Sequence, residues 1–207
     1  MSKIEHKNLI HMYDAMQDSL SFYLVIDYCA GGDLLNHQLK QPNRKFTEQK
    51  AVFYLSCIRD AFLTLKLNDV MHRDIKLENL FLDSTGNLKV GDFGFAKFGD
   101  ESFTKLGSHN TMAPEIFLNL NNHSRKYNDK CDLWSIGVVF HIMLFGKKPY
   151  FCNIRKNDKL NVNAMSQSLR KFNAQEKAFN DISFESADLI RKLLTKNPKF
   201  RISNFIT

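Results

Sequence analysis

Apolar residues recur at helical spacing in the stretch that follows Thr47. Thr47 is a favourable N-cap residue, and Glu48 would lie in the first helical turn, where a carboxylate is stabilised. Four apolar side chains would then point toward a core: Val52, Leu55, Phe62 and Leu65. The pattern predicts a helix that begins after Thr47 and ends near Asn68.

Two more helices are predicted in the second half of the chain. The stretch that begins near Asp132 is apolar on nearly all sides until Gly146, as expected of a helix buried in the middle of a domain. A last helix is predicted over residues 186–194, just before Asn197 and Pro198.

The first β-prone region lies near the N-terminus. Residues 9–16 and 21–27 are predicted to form antiparallel strands joined by residues 17–20. Two strands alone are marginally stable in water. We therefore expect this hairpin to need a partner that completes its sheet.

A second, smaller hairpin is predicted in the middle of the chain. Residues 80–83 and 88–90 flank a short turn of sequence Ser-Thr-Gly-Asn. Asn79 precedes the first of these strands, and Asp92 follows the second. The hairpin would therefore bring Asn79 and Asp92 to neighbouring strand ends.

The composition is that of one globular domain with a small appendage. With 207 residues and 43% apolar content, the chain can bury one substantial core. Its longest apolar run, residues 133–145, is too short to span a bilayer, and the N-terminus lacks a signal-peptide pattern. We expect a soluble, cytoplasmic protein with no membrane partner.

The net charge of +7 has little predictive value, because basic residues are dispersed among acidic ones and no long basic run interleaves with aromatic residues. We therefore expect no nucleic-acid partner. The four cysteines lack zinc-site spacing, so reduced thiols are favoured over disulfides or bound metal: Cys29, Cys57, Cys131 and Cys152.

The strongest chemical signal is the segment His-Arg-Asp-Ile-Lys-Leu-Glu-Asn, residues 72–79, followed by Asp-Phe-Gly at residues 92–94. Asn79 and Asp92 supply oxygen ligands, which suit the hard cation Mg²⁺. Asp74 remains available to orient a hydroxyl group. The pattern is typical of a phosphoryl-transfer site.

These segments resemble the catalytic loop and the metal-binding loop of eukaryotic protein kinases of the Ser/Thr type. Three downstream features continue the resemblance in the family's order: Ala-Pro-Glu at residues 113–115, the Asp132 to Gly137 segment, and Arg201. The resemblance implies an α+β, protein-kinase-like fold. Residues 29–207 would form a mainly helical C-lobe that is truncated near its last helix, and residues 1–28 a remnant N-lobe hairpin leading into the hinge.

The resemblance also implies roles for particular residues, with ATP and Mg²⁺ as cofactors. The catalytic residues would be Asp74, Lys76 and Asn79, and the metal ligands Asn79 and Asp92. Residues in contact with ATP would be Asp27, Cys29, Phe81 and Asp92. Six residues would have structural roles: His72, Phe93, Gly94, Glu115, Asp132 and Arg201.

Regulation and substrate binding are implied in the same way. Arg73 would pair with phosphorylated Thr104, which requires an activating kinase. The substrate is expected to be a protein with a Ser or Thr acceptor. Asp33, Glu78 and Ser108 would contact it, and the two carboxylates favour basic residues before the acceptor.

The glycine-rich loop of the family has no counterpart, because no two of the nine glycines are separated by a single residue. The strand lysine that grips the ATP phosphates and most of the following helix are also absent from these residues. We therefore predict a Ser/Thr kinase whose activity depends on N-lobe elements outside this chain. The alternative is a catalytically inactive, pseudokinase-like binding module.

Overall fold

The structure is a computed structural model and describes residues 4–99, 108, 110–118, 127–150, 167, 179 and 181–203. The helices are α1 (Leu34–Leu39), α2 (Glu48–Leu67), α3 (Pro114–Leu118), α4 (Lys130–Phe145) and α5 (Phe184–Leu193). The strands are β1 (Met12–Gln17), β2 (Phe22–Ile26), β3 (Gly32–Asp33), β4 (Val70–Met71), β5 (Leu80–Leu82), β6 (Leu88–Val90) and β7 (Lys97–Phe98). Helices and small antiparallel sheets together make the α+β class that the sequence predicts.

Helix α2 confirms the predicted bounds. The Thr47 side chain accepts a hydrogen bond from the Lys50 N–H, and Asn68 is the C-cap residue. The prediction for Val52 is wrong, because its side chain is 45% exposed. Val52 is rotated by about 100° from Ala51, which lies on the buried face of the helix.

Helix α4 is the buried centre of the molecule. Trp134, Val138 and Phe140 have no exposed surface, as the all-round apolar pattern predicts. The helix begins two residues earlier than predicted, at Lys130, and ends at Phe145, with Gly146 as its C-cap residue. Gly146 has a φ of +67°, and a Cβ atom there would lie 2.6 Å from the Asn43 carbonyl oxygen. Only glycine fits this position without strain.

Helix α5 also begins two residues before its predicted start. The Ser183 hydroxyl accepts a hydrogen bond from the Ser186 N–H and caps the helix. The carboxylate of Glu48, in the first turn of α2, accepts hydrogen bonds from the Ser183 N–H and hydroxyl. Two helix N-termini are thereby joined.

The strands of the described residues form three small sheets. Strands β3, β5 and β6 form one antiparallel sheet, in which Leu80 faces Val90. Strands β4 and β7 form a second sheet, and the predicted hairpin β1–β2 forms the third. Strands β3, β4 and β7 were not predicted, because each has only two residues and no periodicity to detect.

The β1–β2 hairpin projects from the body of the molecule and all five residues of β2 are exposed. Its base is attached to β6, where the Ile10 N–H donates to the Val90 carbonyl oxygen at 2.9 Å. Leu9 is buried and bridges to Val90, so it belongs to this junction and not to β1 as predicted.

Within the described part of the chain, no helix combines the length and apolarity needed to cross a membrane. Cys29, Cys57 and Cys131 are free thiols, and Cys152 lies outside the described residues.

Candidate active site

The loop between β4 and β5 is held by a buried carboxylate from α4. The two oxygens of Asp132 accept hydrogen bonds from the backbone N–H groups of His72 and Arg73, each at 2.7 Å. Burial raises the pKa of Asp132 above its ordinary value. The predicted structural residue Asp132 thus sets the backbone path just before Asp74.

Asp74 lies at the centre of the site, and its side chain has no exposed surface. Its carboxylate accepts hydrogen bonds from Lys76 Nζ at 2.8 Å, the Ser108 N–H at 2.8 Å and Asn79 Nδ2 at 3.0 Å. Burial by itself would raise the pKa of Asp74, but the hydrogen bonds from Lys76 and Ser108 outweigh it and keep the pKa below its ordinary value. Asp74 is therefore an ionised hydrogen-bond acceptor.

Lys76 joins two of the predicted site residues. Its Nζ also donates to the Ser108 hydroxyl at 3.0 Å, so one cation bridges Asp74 and Ser108. The structure therefore brings together the three predicted catalytic residues and one predicted substrate contact: Asp74, Lys76, Asn79 and Ser108.

Asn79 and Asp92 lie at adjacent strand ends, as predicted. The Gly91 N–H donates to the Asn79 carbonyl oxygen at 2.9 Å, and the next residue along the chain is Asp92. Both Asn79 side-chain hydrogen bonds run from Nδ2 to Asp74, which leaves the amide oxygen of Asn79 as an acceptor. The exposed Asp92 carboxylate accepts only the Gly94 N–H among the described residues. An amide oxygen and a carboxylate fit Mg²⁺, which takes few protein ligands and completes its shell with phosphate and water.

Two residues of these loops have an unusual backbone conformation. Arg73 has a φ of 67° and Asp92 a φ of 58°, both in the left-handed region. Such conformations cost about 1–3 kcal/mol each and concentrate at functional sites. Both lie directly beside residues that the site uses.

The rings of His72 and Phe93 are in contact, with centroids 4.9 Å apart and planes tilted by 49°. His72 Nε2 lies 3.0 Å from the Gly91 carbonyl oxygen, and the Asp74 N–H donates to Nδ1. Since a carbonyl oxygen can only accept, the proton of the neutral ring is on Nε2. His72 and Phe93 therefore connect the Asp74 loop to the Asp92 loop, and the turn at Gly94 closes around Asp92.

Arg73 is buried, and its guanidinium donates to the Phe95 carbonyl oxygen at 2.6 Å and to the Tyr127 hydroxyl at 3.3 Å. The predicted phosphorylated partner, Thr104, lies outside the described residues. The regulatory role of Arg73 and Thr104 stays a prediction.

Arg201 and Glu115, two of the residues to which the resemblance assigns structural roles, form an ion pair. The guanidinium donates to both carboxylate oxygens, at 2.6 and 2.9 Å, and the Arg201 side chain has no exposed surface. It also packs over the Trp134 ring at 5.1 Å. One buried ion pair thereby joins α3, α4 and the chain after α5.

The predicted adenine-binding segment follows β2. The Asp27 carboxylate accepts hydrogen bonds from the His11 N–H, the Tyr13 hydroxyl and Lys89 Nζ. Burial opposes ionisation, but these bonds dominate and lower the pKa of Asp27 to about 2. Among the described residues, the Asp27 carbonyl oxygen and the Cys29 N–H have no partner, so this backbone is available to a ligand.

Phe81 lies in the middle of β5, opposite Lys89 of β6, and is half-buried. A Cβ atom at Gly91 would lie 3.1 Å from the Phe81 ring and 2.6 Å from Ile10. The absence of a side chain at residue 91 therefore allows these two apolar groups to close over the start of the Asp92 loop.

The other two predicted substrate contacts, Asp33 and Glu78, differ in their surroundings. The Asp33 carboxylate caps α1 and accepts hydrogen bonds from the Asn36 N–H and Nδ2 at 2.8 and 2.6 Å. Glu78 is exposed and lines a groove of about 330 Å³ next to Lys76 and Ser108.

The family model described as Protein kinase domain matches residues 1–206. The chain is 31% identical over 203 residues to Aurora kinase A-B of Xenopus laevis, covering 97% of this chain and 46% of the relative. It is 32% identical over 205 residues to cAMP-dependent protein kinase type 3 of Saccharomyces cerevisiae, covering 99% and 48%. It is 35% identical over 209 residues to serine/threonine-protein kinase ATG1a of Arabidopsis thaliana, covering 98% and 32%.

This chain belongs to the protein kinase family. The resemblance stated from its motifs is confirmed, as is the α+β kinase-like fold. The chain spans less than half the length of these curated kinases.

Some residues of the kinase site could not be found from the sequence. Lys89 pairs with Asp27 at 2.8 Å although the two are 62 positions apart. Tyr127 reaches Arg73 across 54 positions. No local pattern marks either residue. Lys147 and Lys148 also line the groove beside Lys76, and their position directly after the predicted end of α4 was the one available signal.

Proposed function

We propose that this kinase transfers the γ-phosphate of ATP to the hydroxyl of a Ser or Thr residue in a protein. The observation that carries the proposal is the buried, ionised Asp74 with Lys76, Asn79 and Ser108 on its carboxylate or directly beside it. The named relatives include Ser/Thr kinases, which supports this choice of acceptor.

In the proposed reaction, the acceptor hydroxyl donates a hydrogen bond to Asp74. Its oxygen forms a bond to the γ-phosphorus, the bond from that phosphorus to the ADP oxygen breaks, and the hydroxyl proton passes to Asp74. Lys76 would place its positive charge beside the transferred phosphate.

Polar atoms without a partner among the described residues would bind the two cofactors, Mg²⁺ and ATP. Asn79 and Asp92 would hold Mg²⁺, which neutralises phosphate charge when bound. The Asp27 carbonyl oxygen and the Cys29 N–H would hold the adenine, with Phe81 against its face.

The proposal extends to the elements that phosphotransfer requires and to regulation. We propose that phosphotransfer requires kinase elements beyond these 207 residues, because the chain contains no Gly-x-Gly to cover the phosphates. A lobe boundary near residue 28, control through Thr104 by an activating kinase, a sheet-completing partner and a cytoplasmic location stay predictions.

The lack of a Gly-x-Gly also favours the alternative, a catalytically inactive binding module. Two measurements on the full gene product separate the candidates: phosphate transfer from labelled ATP to a Ser/Thr peptide library, and nucleotide binding with and without Mg²⁺. A kinase would show both, and Asp74→Asn would lower turnover by about 100-fold or more.

Asp181→Asn is the matched control, because Asp181 is an exposed aspartate in a turn outside the site. It should leave turnover unchanged. Absence of any transfer by the full gene product, with a folded protein, would support the binding module instead. The 207 residues alone should transfer little or no phosphate.

A further inference from the structure

We propose that the groove beside Asp74 selects acceptor peptides with an acidic side chain near the Ser or Thr. This inference rests on the proposed function and names the substrate class of the same site. It opposes the sequence-based prediction of basic residues before the acceptor.

The groove has an apolar part and a charged rim. Its apolar lining residues include Leu35, Leu39, Leu77 and Ile142. Lys76 and Ser108 place the groove directly next to the catalytic carboxylate, because both bond to Asp74. A peptide whose hydroxyl reaches Asp74 would therefore have its neighbouring side chains in or over this groove.

The charges along the rim are mostly positive. Arg44, Lys147 and Lys148 line it and are exposed, whereas Glu78 is the one carboxylate among the described residues of the lining. The positive charge of Lys76 is neutralised by its ion pair with Asp74, so Lys76 adds no net charge to the rim. Within the described residues, none of the three rim cations forms an ion pair. The described lining of the groove therefore has an excess of uncompensated positive charge.

Partly buried hydrogen bonds hold the two segments that carry these cations. Gln38 is buried and donates from Nε2 to the carbonyl oxygens of both Arg44 and Ile142, at 2.8 Å each. The Lys147 carbonyl oxygen lies 2.9 Å from His141 Nδ1. The backbone of the rim is thus fixed against α4, so an acidic peptide side chain would meet cations whose main chain is already ordered.

The two carboxylates that favour basic substrates are poorly placed for that task. Asp33 is engaged as the N-cap of α1, where both oxygens accept hydrogen bonds from Asn36. Glu78 shares the groove with three cations. A peptide arginine in this groove would therefore meet more repulsion than attraction, which is a common source of specificity.

The test measures peptide binding without turnover. Fluorescent Ser peptides of equal length, with Glu, Gln, phosphoserine or Arg flanking the acceptor, are titrated by anisotropy against the 207-residue chain and the full gene product. We expect the Glu peptide to bind about fivefold to tenfold more tightly than the Gln peptide, and the preference to shrink at high salt. Phosphoserine should bind at least as tightly as Glu.

The double variant Lys147→Glu/Lys148→Glu should abolish or invert this preference. Lys7→Glu/Lys199→Glu is the matched control, since it makes the same change in net charge at exposed lysines outside the groove. Thermal unfolding of both variants checks that they fold. A loss of preference in the control as well would mean that net charge, and not the groove, selects the peptide.

Equal binding of all peptides, tighter binding of the Arg peptide, or no binding in either protein would overturn the inference. Phosphorylation of Arg peptides in preference to Glu peptides would overturn it and leave the proposed function intact. Tight binding of Glu peptides by a full gene product that transfers no phosphate would overturn the proposed function and leave the selectivity of the groove intact.

Discussion

The loop around Asp74 and the β1–β2 hairpin differ most clearly in burial. The carboxylates of Asp74 and Asp132 have almost no exposed surface and are surrounded by hydrogen-bond donors. In the hairpin, Phe22 is 77% exposed and Leu24 63% exposed. The loop is determined by contacts from several parts of the chain, whereas the hairpin is held mainly by its own ladder and its base. Substitutions should therefore affect stability strongly in the first region and weakly in the second.

The largest effect on stability is expected for Arg201→Ala, on the buried side of the comparison. It would leave the Glu115 carboxylate without its partner, and breaking a buried pair costs about 3–5 kcal/mol. Arg59→Ala is the control, because the Arg59 and Asp60 side chains are 38% and 31% exposed and their pair is expected to contribute at most about 1 kcal/mol. Urea unfolding of the 207-residue chain gives both values. Equal losses would contradict the difference in burial.

A loss of similar or smaller size is expected for Asp132→Ala, which tests the loop itself. The His72 and Arg73 N–H groups would lose their acceptors, at about 1–3 kcal/mol for each buried donor. Asp14→Ala in β1 should change the free energy of unfolding by less than about 0.5 kcal/mol. If the two variants unfold at the same urea concentration, the loop is not held by Asp132.

The junction between the two regions should be sensitive to acid. The pKa of Asp27 is lowered to about 2, so its contribution is present above its ordinary value of 3.8 and is lost as the pH falls toward 2. Because Asp27 is partly solvated, we expect this contribution to be about 1 kcal/mol. The free energy of unfolding of Asp27→Asn should therefore fall less between pH 4 and pH 2.5 than that of the unsubstituted chain. The free energy of unfolding of Asp14→Asn should fall with pH as it does in the unsubstituted chain. If Asp27→Asn shows that same pH dependence, the lowered pKa of Asp27 does not contribute to stability.

The smallest effect on stability is expected in the hairpin. Phe22→Ser/Leu24→Ser should change the free energy of unfolding by less than about 1 kcal/mol, because both side chains are exposed. The same variant should lower self-association, since exposed apolar strands invite pairing with other chains. Light scattering at increasing concentration tests this. An unsubstituted chain that stays monomeric at high concentration would contradict the predicted self-association.

Local signals in the sequence predicted much of the fold. The N-cap at Thr47, the end of α2 at Asn68 and the hairpin between β5 and β6 were all found, because caps and turns depend on a few adjacent residues. Val52 was misplaced because periodicity leaves the width of the buried face undefined. The two-residue strands β4 and β7 were missed because they exist only through their mutual pairing.

The candidate site divides in the same way. Asp74, Lys76 and Asn79 lie within six residues and carry a recognisable spacing. Ser108, by contrast, reaches Asp74 across 34 positions, and Asp132 reaches His72 across 60. Ser108 and Asp132 were named through the resemblance to kinases, and their contacts needed the fold.

The sequence by itself determined the family, the α+β class and the residue types of a phosphoryl-transfer site, because these depend on spacing within short segments. Only the tertiary structure decided the charge of the groove beside Asp74. Arg44 and Lys148 are distant in sequence, and the packing of the Arg44 segment against the end of α4 places both on one rim. Electrostatic selectivity depends on distances in space, and a dispersed set of charges along a chain does not reveal them.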